Sequence, residues 1–124
     1  MLAYVTIGTN DLPKAKDFYA ELLSILEANV LMEGDQQVGI GKNFSEPLIV
    51  LTKPFNGEKA SVGNGMMVAL LAGSREKVDS LHAKALELGG EDEGEPGVRG
   101  EQFYMAYARD LDGNKLAFYA PAKG

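Results

Sequence analysis

The sequence predicts an α+β fold of two βαβββ modules, which form a curved mixed sheet with a helix outside each half. Two observations predict this fold. Each half of the 124-residue chain has the order strand–helix–strand–strand–strand, and equivalent signals recur at equal spacings in the two halves. A half of about 60 residues does not bury a sheet face comfortably alone. We therefore expect a single domain over 1–124, with one module at 1–57 and the other at 62–124.

The first module opens with a strand pattern at 2–8, which a helix pattern follows. Asp11 occupies the helix N-cap position, and Pro13 lies in the first turn, where its missing N–H is harmless. The apolar face of this helix consists of Ala15, Phe18, Tyr19, Leu22 and Leu26. Residues 30–33 and 37–42 are predicted to form a hairpin around Gly34 and Asp35, and 48–52 a short apolar strand.

The second module repeats this order. Residues 66–71 form an apolar strand pattern, Ser74 is placed to cap a helix, and Gly89 with Gly90 ends that helix. The inward face of the helix consists of Val78, Leu81, Ala85 and Leu88. The stretch 91–100 is acidic and rich in glycine and proline, so it is predicted to be a mobile connection in the place of a weak strand.

A hairpin ends the second module. Residues 102–109 alternate in the manner of a strand with two different faces, and 115–120 form the partner strand. The turn between them, RDLDGN, has Asp and Asn side chains that bond their own backbone, and Gly113 can adopt positive φ.

The equal spacings identify a repeat. Tyr4 lies seven residues before the cap of the first helix, and Met67 lies seven residues before the cap of the second. Val50 and Ala117 each lie four residues before a proline. These four residues therefore occupy equivalent positions in their modules.

Composition excludes several classes of function. The chain has no cysteine, which excludes a disulfide framework, a thiolate metal site and a cysteine nucleophile. The net charge of −6 argues against a nucleic-acid partner, since binding to phosphate depends on Lys and Arg. No apolar run reaches the roughly 18 residues of a membrane span, and the N-terminus lacks a signal pattern. A cytoplasmic protein with no membrane partner is expected.

Three phrases of the sequence carry a resemblance: YVTIGTNDLPKAKDFYAELL, SREKVDSLHAKALELGG and AYARDLDGNKLAFYAP. They resemble the glyoxalase/bleomycin resistance/extradiol dioxygenase group, the vicinal oxygen chelate superfamily, over nearly the whole chain. The resemblance implies concave sheets that enclose a small-molecule site, commonly in a homodimer. In catalytic members it implies a divalent metal, held by His or Gln on the first strand and Glu on the last strand of each module.

The positions that the resemblance assigns to metal ligands fall on Tyr4, Val50, Met67 and Ala117. Val and Ala have no donor atom, the Met thioether is a soft ligand, and one phenolate does not make a site that needs three or more protein ligands. The predicted strands, apart from the first hairpin strand, contain no Asp, Glu or His. We therefore expect no metal and no cofactor. His82, the only histidine, is predicted to be a surface or boundary residue of the second helix, away from the cavity.

Alternation along the strands from those four positions predicts the residues that line the sheet cavity. On the strand at 102–109 either Phe103, Met105 and Tyr107 or their alternates face inward, and Tyr107 with Arg109 is favoured. The full predicted set is Tyr4, Thr6, Val50, Thr52, Met67, Ala69, Tyr107, Arg109, Ala117 and Tyr119. Such an apolar and aromatic set with a few hydroxyl groups is typical of a pocket for an organic molecule.

Three functions follow from this set. The first is a protein that binds a small organic molecule after loss of the familial metal ligands. The second is an enzyme, either a glyoxalase-type lyase or isomerase or a dioxygenase relative, with no catalytic residue assigned. The third is a dimeric interaction module in which side chains fill the cavity.

Overall fold

The computed structural model describes residues 1–122, which divide into two compact units, Met1–Val62 and a second that begins at Gly63. The elements of the first unit are β1 (Tyr4–Gly8), α1 (Leu12–Ser24), β2 (Asn29–Glu33), β3 (Gln37–Gly41) and β4 (Leu48–Thr52). They form one four-stranded sheet in the order β1-β4-β3-β2. Strand β1 is parallel to β4, and the other pairs are antiparallel.

The elements of the second unit are β5 (Val68–Leu71), α2 (Arg75–Glu87), β6 (Glu91–Arg99), β7 (Phe103–Arg109) and β8 (Lys115–Pro121). Its sheet has the order β5-β8-β7-β6, with β5 parallel to β8 and the other pairs antiparallel. Each unit is thus a βαβββ module with a mixed sheet and one helix, and the predicted fold class is confirmed. No helix among residues 1–122 is long and apolar enough to cross a membrane.

Helix α1 begins and packs as its sequence predicts. The Asp11 side chain accepts a hydrogen bond from the Lys14 backbone N–H at 3.1 Å, which satisfies one of the free donors of the first turn. The buried face, which packs on β2, β3 and β4, consists of Leu12, Ala15, Phe18, Tyr19, Leu22 and Leu23. Leu26 lies beyond the helix in a half-buried turn, so the helix is shorter than the apolar pattern predicts.

Helix α2 has the predicted cap and the predicted end. The Ser74 hydroxyl accepts from the Lys77 N–H at 3.2 Å, and Gly89 has φ of +101°. Gly90 marks a close approach of two backbones, because a Cβ there would lie 2.6 Å from the carbonyl oxygen of Arg109 and 2.8 Å from that of Ala85. The end of α2 therefore packs on the end of β7 with no room for a side chain.

Asp110 organises the turn between β7 and β8. Its buried carboxylate accepts hydrogen bonds from the backbone N–H groups of Asp112 and Asn114, both at 2.9 Å, and from the Asn114 side-chain amide. Gly113 has φ of +90° and donates its N–H to the Asp110 carbonyl. The predicted turn chemistry is confirmed.

The prediction of a mobile connection at 91–100 is wrong, because most of this stretch forms strand β6. It pairs with β7 through two register irregularities, one between Asp92 and Gly94 and one between Gly94 and Gly97. The two irregularities are bulges that contain glycine residues. Pro96 lies within the second bulge of this edge strand, where its missing N–H interrupts no hydrogen bond of the sheet. The first strand of this unit is shorter than predicted, since it begins only at Val68.

The prediction that His82 is a surface or boundary residue is also wrong. His82 is only 6% exposed, and its Nε2 lies 2.9 Å from the Asp92 Oδ1 on β6. Asp92 also accepts from the Gly94 N–H at 2.9 Å. These two hydrogen bonds hold the pKa of Asp92 below its usual value, the bond to His82 being the larger cause. The acidic stretch is thus ordered in part by a bond to the helix.

Candidate functional site

Each sheet has one face that its helix covers and one face that is free of the helix, called here the helix-free face. In the first unit the register pairs Thr6 with Val50 and Gly8 with Thr52. Residues that are partners in register point to the same side of a sheet, and alternate residues of a strand share a side. Tyr4, Thr6, Val50 and Thr52 therefore share the helix-free face, while the buried side chains of Ile7, Val38 and Leu51 lie on the other.

The helix-free face of the first unit has an apolar floor and an open edge. Val50 is 4% exposed, whereas Tyr4 is 56% exposed. Gly39 is the partner of Val50 on β3, and a Cβ there would lie 2.6 Å from the Met32 Cγ, so the Met32 side chain lies over the glycine. The Thr52 hydroxyl donates to the Lys53 carbonyl at 2.8 Å. Its hydrogen is therefore already used within the chain.

The second unit brings five predicted residues to its helix-free face. The register pairs Tyr107 with Ala117, Ala69 with Ala117, and Arg109 with Lys115, and Tyr119 shares the side of Ala117 by alternation. The opposite side packs on α2 and is fully buried at Ala106, Ala108, Leu116 and Phe118. The favoured inward set of β7 is therefore the one on this helix-free face. Met67 precedes β5 and is 41% exposed, so it lies outside the strand that was predicted to hold it.

A group of aromatic and cationic side chains, called here the Tyr107 cluster, occupies this face: Arg99, Met105, Tyr107 and Lys115. The Lys115 Nζ lies 5.2 Å from the centroid of the Tyr107 ring, and the Arg99 Cζ lies 5.8 Å from it. Both distances are those of cation–π contacts. The Tyr107 hydroxyl donates to the Met105 sulfur at 3.4 Å, a weak acceptor. The hydroxyl oxygen therefore has free acceptor capacity.

Next to the cluster, Arg109 makes two hydrogen bonds within its own unit. Its Nε lies 2.6 Å from the Glu93 Oε1, and one terminal nitrogen donates to the Gly113 carbonyl at 3.0 Å. The hydrogen bond from Arg109 holds the pKa of Glu93 below its usual value. Arg109 thus supports the hairpin and is less available to a ligand than the sequence predicts.

Of the four members of the cluster, the predicted set contains only Tyr107. Met105 belongs to one of the two options for the inward side of its strand, and the sequence prediction missed Arg99 and Lys115. Lys115 lies two residues before Ala117 on β8, so the alternation that places Ala117 and Tyr119 on this face also places Lys115 there. Arg99 could not be found in this way, because 91–100 was predicted to be a connection with no defined faces. On the same side of the sheet the rings of Phe103 and Tyr119 lie 5.6 Å apart. The helix-free face is therefore richer in aromatic and cationic groups than predicted.

Comparison with known proteins gives the family. A family model described as Glyoxalase/Bleomycin resistance protein/Dioxygenase superfamily matches residues 1–118. The chain belongs to this superfamily. No curated protein matches the chain.

Solved structures of superfamily relatives have the same fold. A glyoxalase/bleomycin resistance protein from Albidiferax ferrireducens T118 is 32% identical, with a TM-score of 0.88 over 97% of this chain and 98% of that one. The hypothetical protein SA1046 from S. aureus is 27% identical, with a TM-score of 0.70 over 97% and 96%. A lactoylglutathione lyase from Agrobacterium tumefaciens is 17% identical, with a TM-score of 0.68 over 97% and 92%, which shows the fold alone.

The superfamily implies a divalent metal in its catalytic members, and the four equivalent positions of this chain do not fit one. Val50 and Ala117 are buried alkyl groups, and Met67 offers only a thioether. Tyr4 offers one exposed hydroxyl group. Within residues 1–122 no group of three or more His, Asp and Glu side chains is placed to hold a metal ion. The side chains at these positions therefore do not fit a divalent metal ion.

Proposed function

We propose that this superfamily member binds a small organic molecule on its helix-free sheet faces without a divalent metal. One observation carries the proposal. Half-exposed aromatic and sulfur-containing side chains surround a fully buried alanine, Ala117, on a sheet face that no helix of its unit covers. Tyr107 and Tyr119 flank this buried alanine and are themselves partly exposed, so a flat apolar group can lie against their rings.

The ten residues predicted to line one cavity have different roles in this proposal. In the second unit the buried Ala117 forms the floor and the more exposed Tyr119 is proposed to contact the ligand. In the first unit Val50 and Tyr4 have the corresponding positions on their own helix-free face. That all ten line one cavity stays a prediction. A cytoplasmic location, with no nucleic-acid or membrane partner, accords with a chain that has no cysteine and a net charge of −6.

A thermal-shift screen of metal-free protein against small aromatic compounds tests the proposal, because a ligand that binds only the folded state raises the melting temperature. For a ligand found in this way, Tyr107→Ala and Tyr119→Ala should each weaken binding about tenfold or more. Phe55→Ala is the matched control, since Phe55 is an aromatic residue fully exposed in the first unit. Binding that requires added metal would contradict the proposal.

An enzyme is the second candidate, a glyoxalase-type lyase or isomerase or a dioxygenase relative. It is supported by the position of the Tyr107 hydroxyl, which has free acceptor capacity beside the cations Arg99 and Lys115. A phenol in this position could exchange a proton with a bound molecule. Turnover that Tyr107→Phe abolishes while binding remains would establish this candidate.

A homodimer is a further part of the proposal. It is supported by large apolar side chains that the single chain leaves exposed, among them Met66 and Leu71. Sedimentation equilibrium should then give twice the mass of the chain. A monomer at micromolar concentration would contradict this part and leave the ligand proposal in place. If no compound in the screen binds and the dimer forms, the interaction module is the better account.

A further inference from the structure

Two cations of the Tyr107 cluster form no salt bridge within the described part of the chain. Lys115 is half-buried, and its ammonium group makes no hydrogen bond or salt bridge with any residue of 1–122. Arg99 donates to the Glu95 backbone carbonyl at 2.6 Å but has no carboxylate within salt-bridge distance in the described part of the chain. Long cationic side chains normally extend into water or pair when they are partly buried. These two instead converge on one tyrosine ring.

The neighbouring charges leave the cluster positive. Arg109 and Lys115 are direct partners across β7 and β8, and like charges in that relation are unfavourable. Glu93 is bound to Arg109, and its interaction with Lys115 is weaker. Glu91, on β6, is the register partner of Arg109 and is exposed to solvent. A concentration of cations on this face is unexpected in a chain with a net charge of −6.

Two glycines make room for this arrangement. A Cβ at Gly94 would lie 2.8 Å from the Tyr107 Cδ2, and a Cβ at Gly97 would lie 2.8 Å from an Arg99 terminal nitrogen. Both contacts are closer than real Cβ atoms permit, so any other residue would displace the ring or the guanidinium group. The bulged course of β6 therefore allows Arg99 to lie beside Tyr107.

We propose that the molecule bound on this face is an organic acid, whose carboxylate or phosphate group is held by Lys115 and Arg99 beside Tyr107. This inference rests on the proposed function and names its ligand class. The ammonium group contributes a compact charge, and the guanidinium group can donate two parallel hydrogen bonds to an acid group. The apolar part of the molecule then lies against the rings of Tyr119 and Phe103.

The test uses matched probes of one shape. Benzoate and phenyl phosphate present the two acid groups, and benzamide is the neutral counterpart of benzoate. We expect one or both acids to bind metal-free protein at least tenfold more tightly than benzamide, with an affinity that falls as salt is raised. Calorimetry or NMR titration measures each affinity, and the stronger of the two acids identifies the acid group.

Two variants assign the binding to the cluster. Lys115→Met and Arg99→Met should each weaken binding of the acid about tenfold and leave benzamide unchanged. Lys77→Met is the matched control, since Lys77 is an exposed lysine on α2, on the opposite side of the same sheet. Circular dichroism checks that each variant is folded.

The outcomes separate this inference from the proposed function. If benzamide binds as tightly as the acids, or if both variants bind the acids normally, the organic-acid inference is overturned and small-molecule binding stands. If neither these probes nor any compound of the wider screen binds, both fail together.

Discussion

At the scale of single residues, Asp110 shows how much one buried carboxylate contributes. It accepts hydrogen bonds from two backbone N–H groups and a side-chain amide within its own turn. The turn sequence alone predicts this role, because Asp and Asn bond their own backbone in such loops. What the sequence does not give is the burial of the carboxylate, which depends on how the hairpin packs.

Replacement of that carboxylate tests the role. Asp110→Ala should lower the free energy of unfolding by about 2 kcal/mol, because it removes a buried carboxylate that accepts from two part-buried backbone N–H groups. Urea unfolding measures the change. Asp35→Ala, an exposed aspartate in the β2–β3 turn, should change stability by less than about 0.5 kcal/mol. Equal effects at both positions would show that the loss is not specific to Asp110.

Gly90 gives the second prediction at this scale. Gly90→Ala should destabilise the second unit by about 2 kcal/mol or more, because the added methyl group would overlap two backbone carbonyl oxygens that cannot move aside. Gly34→Ala is the control, since the nearest atom to its Cβ is 3.9 Å away. The melting temperature of Gly90→Ala should be well below that of Gly34→Ala. The reverse order would contradict the close approach of the two backbones at Gly90.

At the scale of secondary-structure elements, the bond between His82 and Asp92 joins α2 to β6. The sequence placed the histidine correctly on the helix, beside the apolar stripe. It could not show that the acidic stretch returns as a strand under that side of the helix, because the pattern of glycine, proline and acid in 91–100 is also that of a loop. Only the pairing with β7, irregular at two places, turns the stretch into an edge strand.

The lowered pKa of Asp92 predicts a pH dependence of stability. A carboxylate whose folded pKa lies below its unfolded value, about 3.8, contributes stability that is present above that value and is lost as the pH falls through the folded pKa. Asp92→Asn should therefore lower the unfolding free energy near neutral pH, and the difference from the wild type should shrink below about pH 4. Urea unfolding at several pH values measures the difference.

Two comparisons sharpen this prediction. Glu101→Gln removes one exposed negative charge near the same sheet and serves as the control for net charge. His82→Leu should also lower the unfolding free energy near neutral pH, because it removes the side chain of α2 that is bonded to Asp92. A difference between Asp92→Asn and the wild type that stays constant over the whole pH range would contradict the role given to the carboxylate.

Across the chain as a whole, the order of helices and strands could be predicted from the sequence. The N-cap residues, the glycines that end helices and the alternation of strands each depend only on a short segment of the chain. Asp11, Ser74 and Gly89 do what their types predict. The candidate site followed in part, since alternation placed Tyr107, Ala117 and Tyr119 on one face. Arg99 and its contact with Tyr107 depend on strand pairing between separate segments, which local patterns do not encode.

We expect the folded protein to hold no tightly bound divalent metal ion. Protein purified without a tag, then exposed to nickel, zinc, iron and manganese and dialysed, should retain less than one metal ion per chain by elemental analysis. Treatment with a chelator should leave the melting temperature unchanged, because removal of a bound stabilising ion would lower it. A stoichiometric ion that survives dialysis, together with a chelator-dependent fall in melting temperature, would contradict the metal-free function.

The irregular edge strand β6 has a consequence for how copies of this chain can associate. An unpaired strand edge is a template on which another chain can continue the sheet. Here the two bulges, Pro96 and the exposed glutamates Glu91 and Glu95 interrupt that template and give it a repelling charge. Sheet extension from chain to chain at this edge is thus disfavoured, and at high concentration we expect the protein to resist fibril growth through β6.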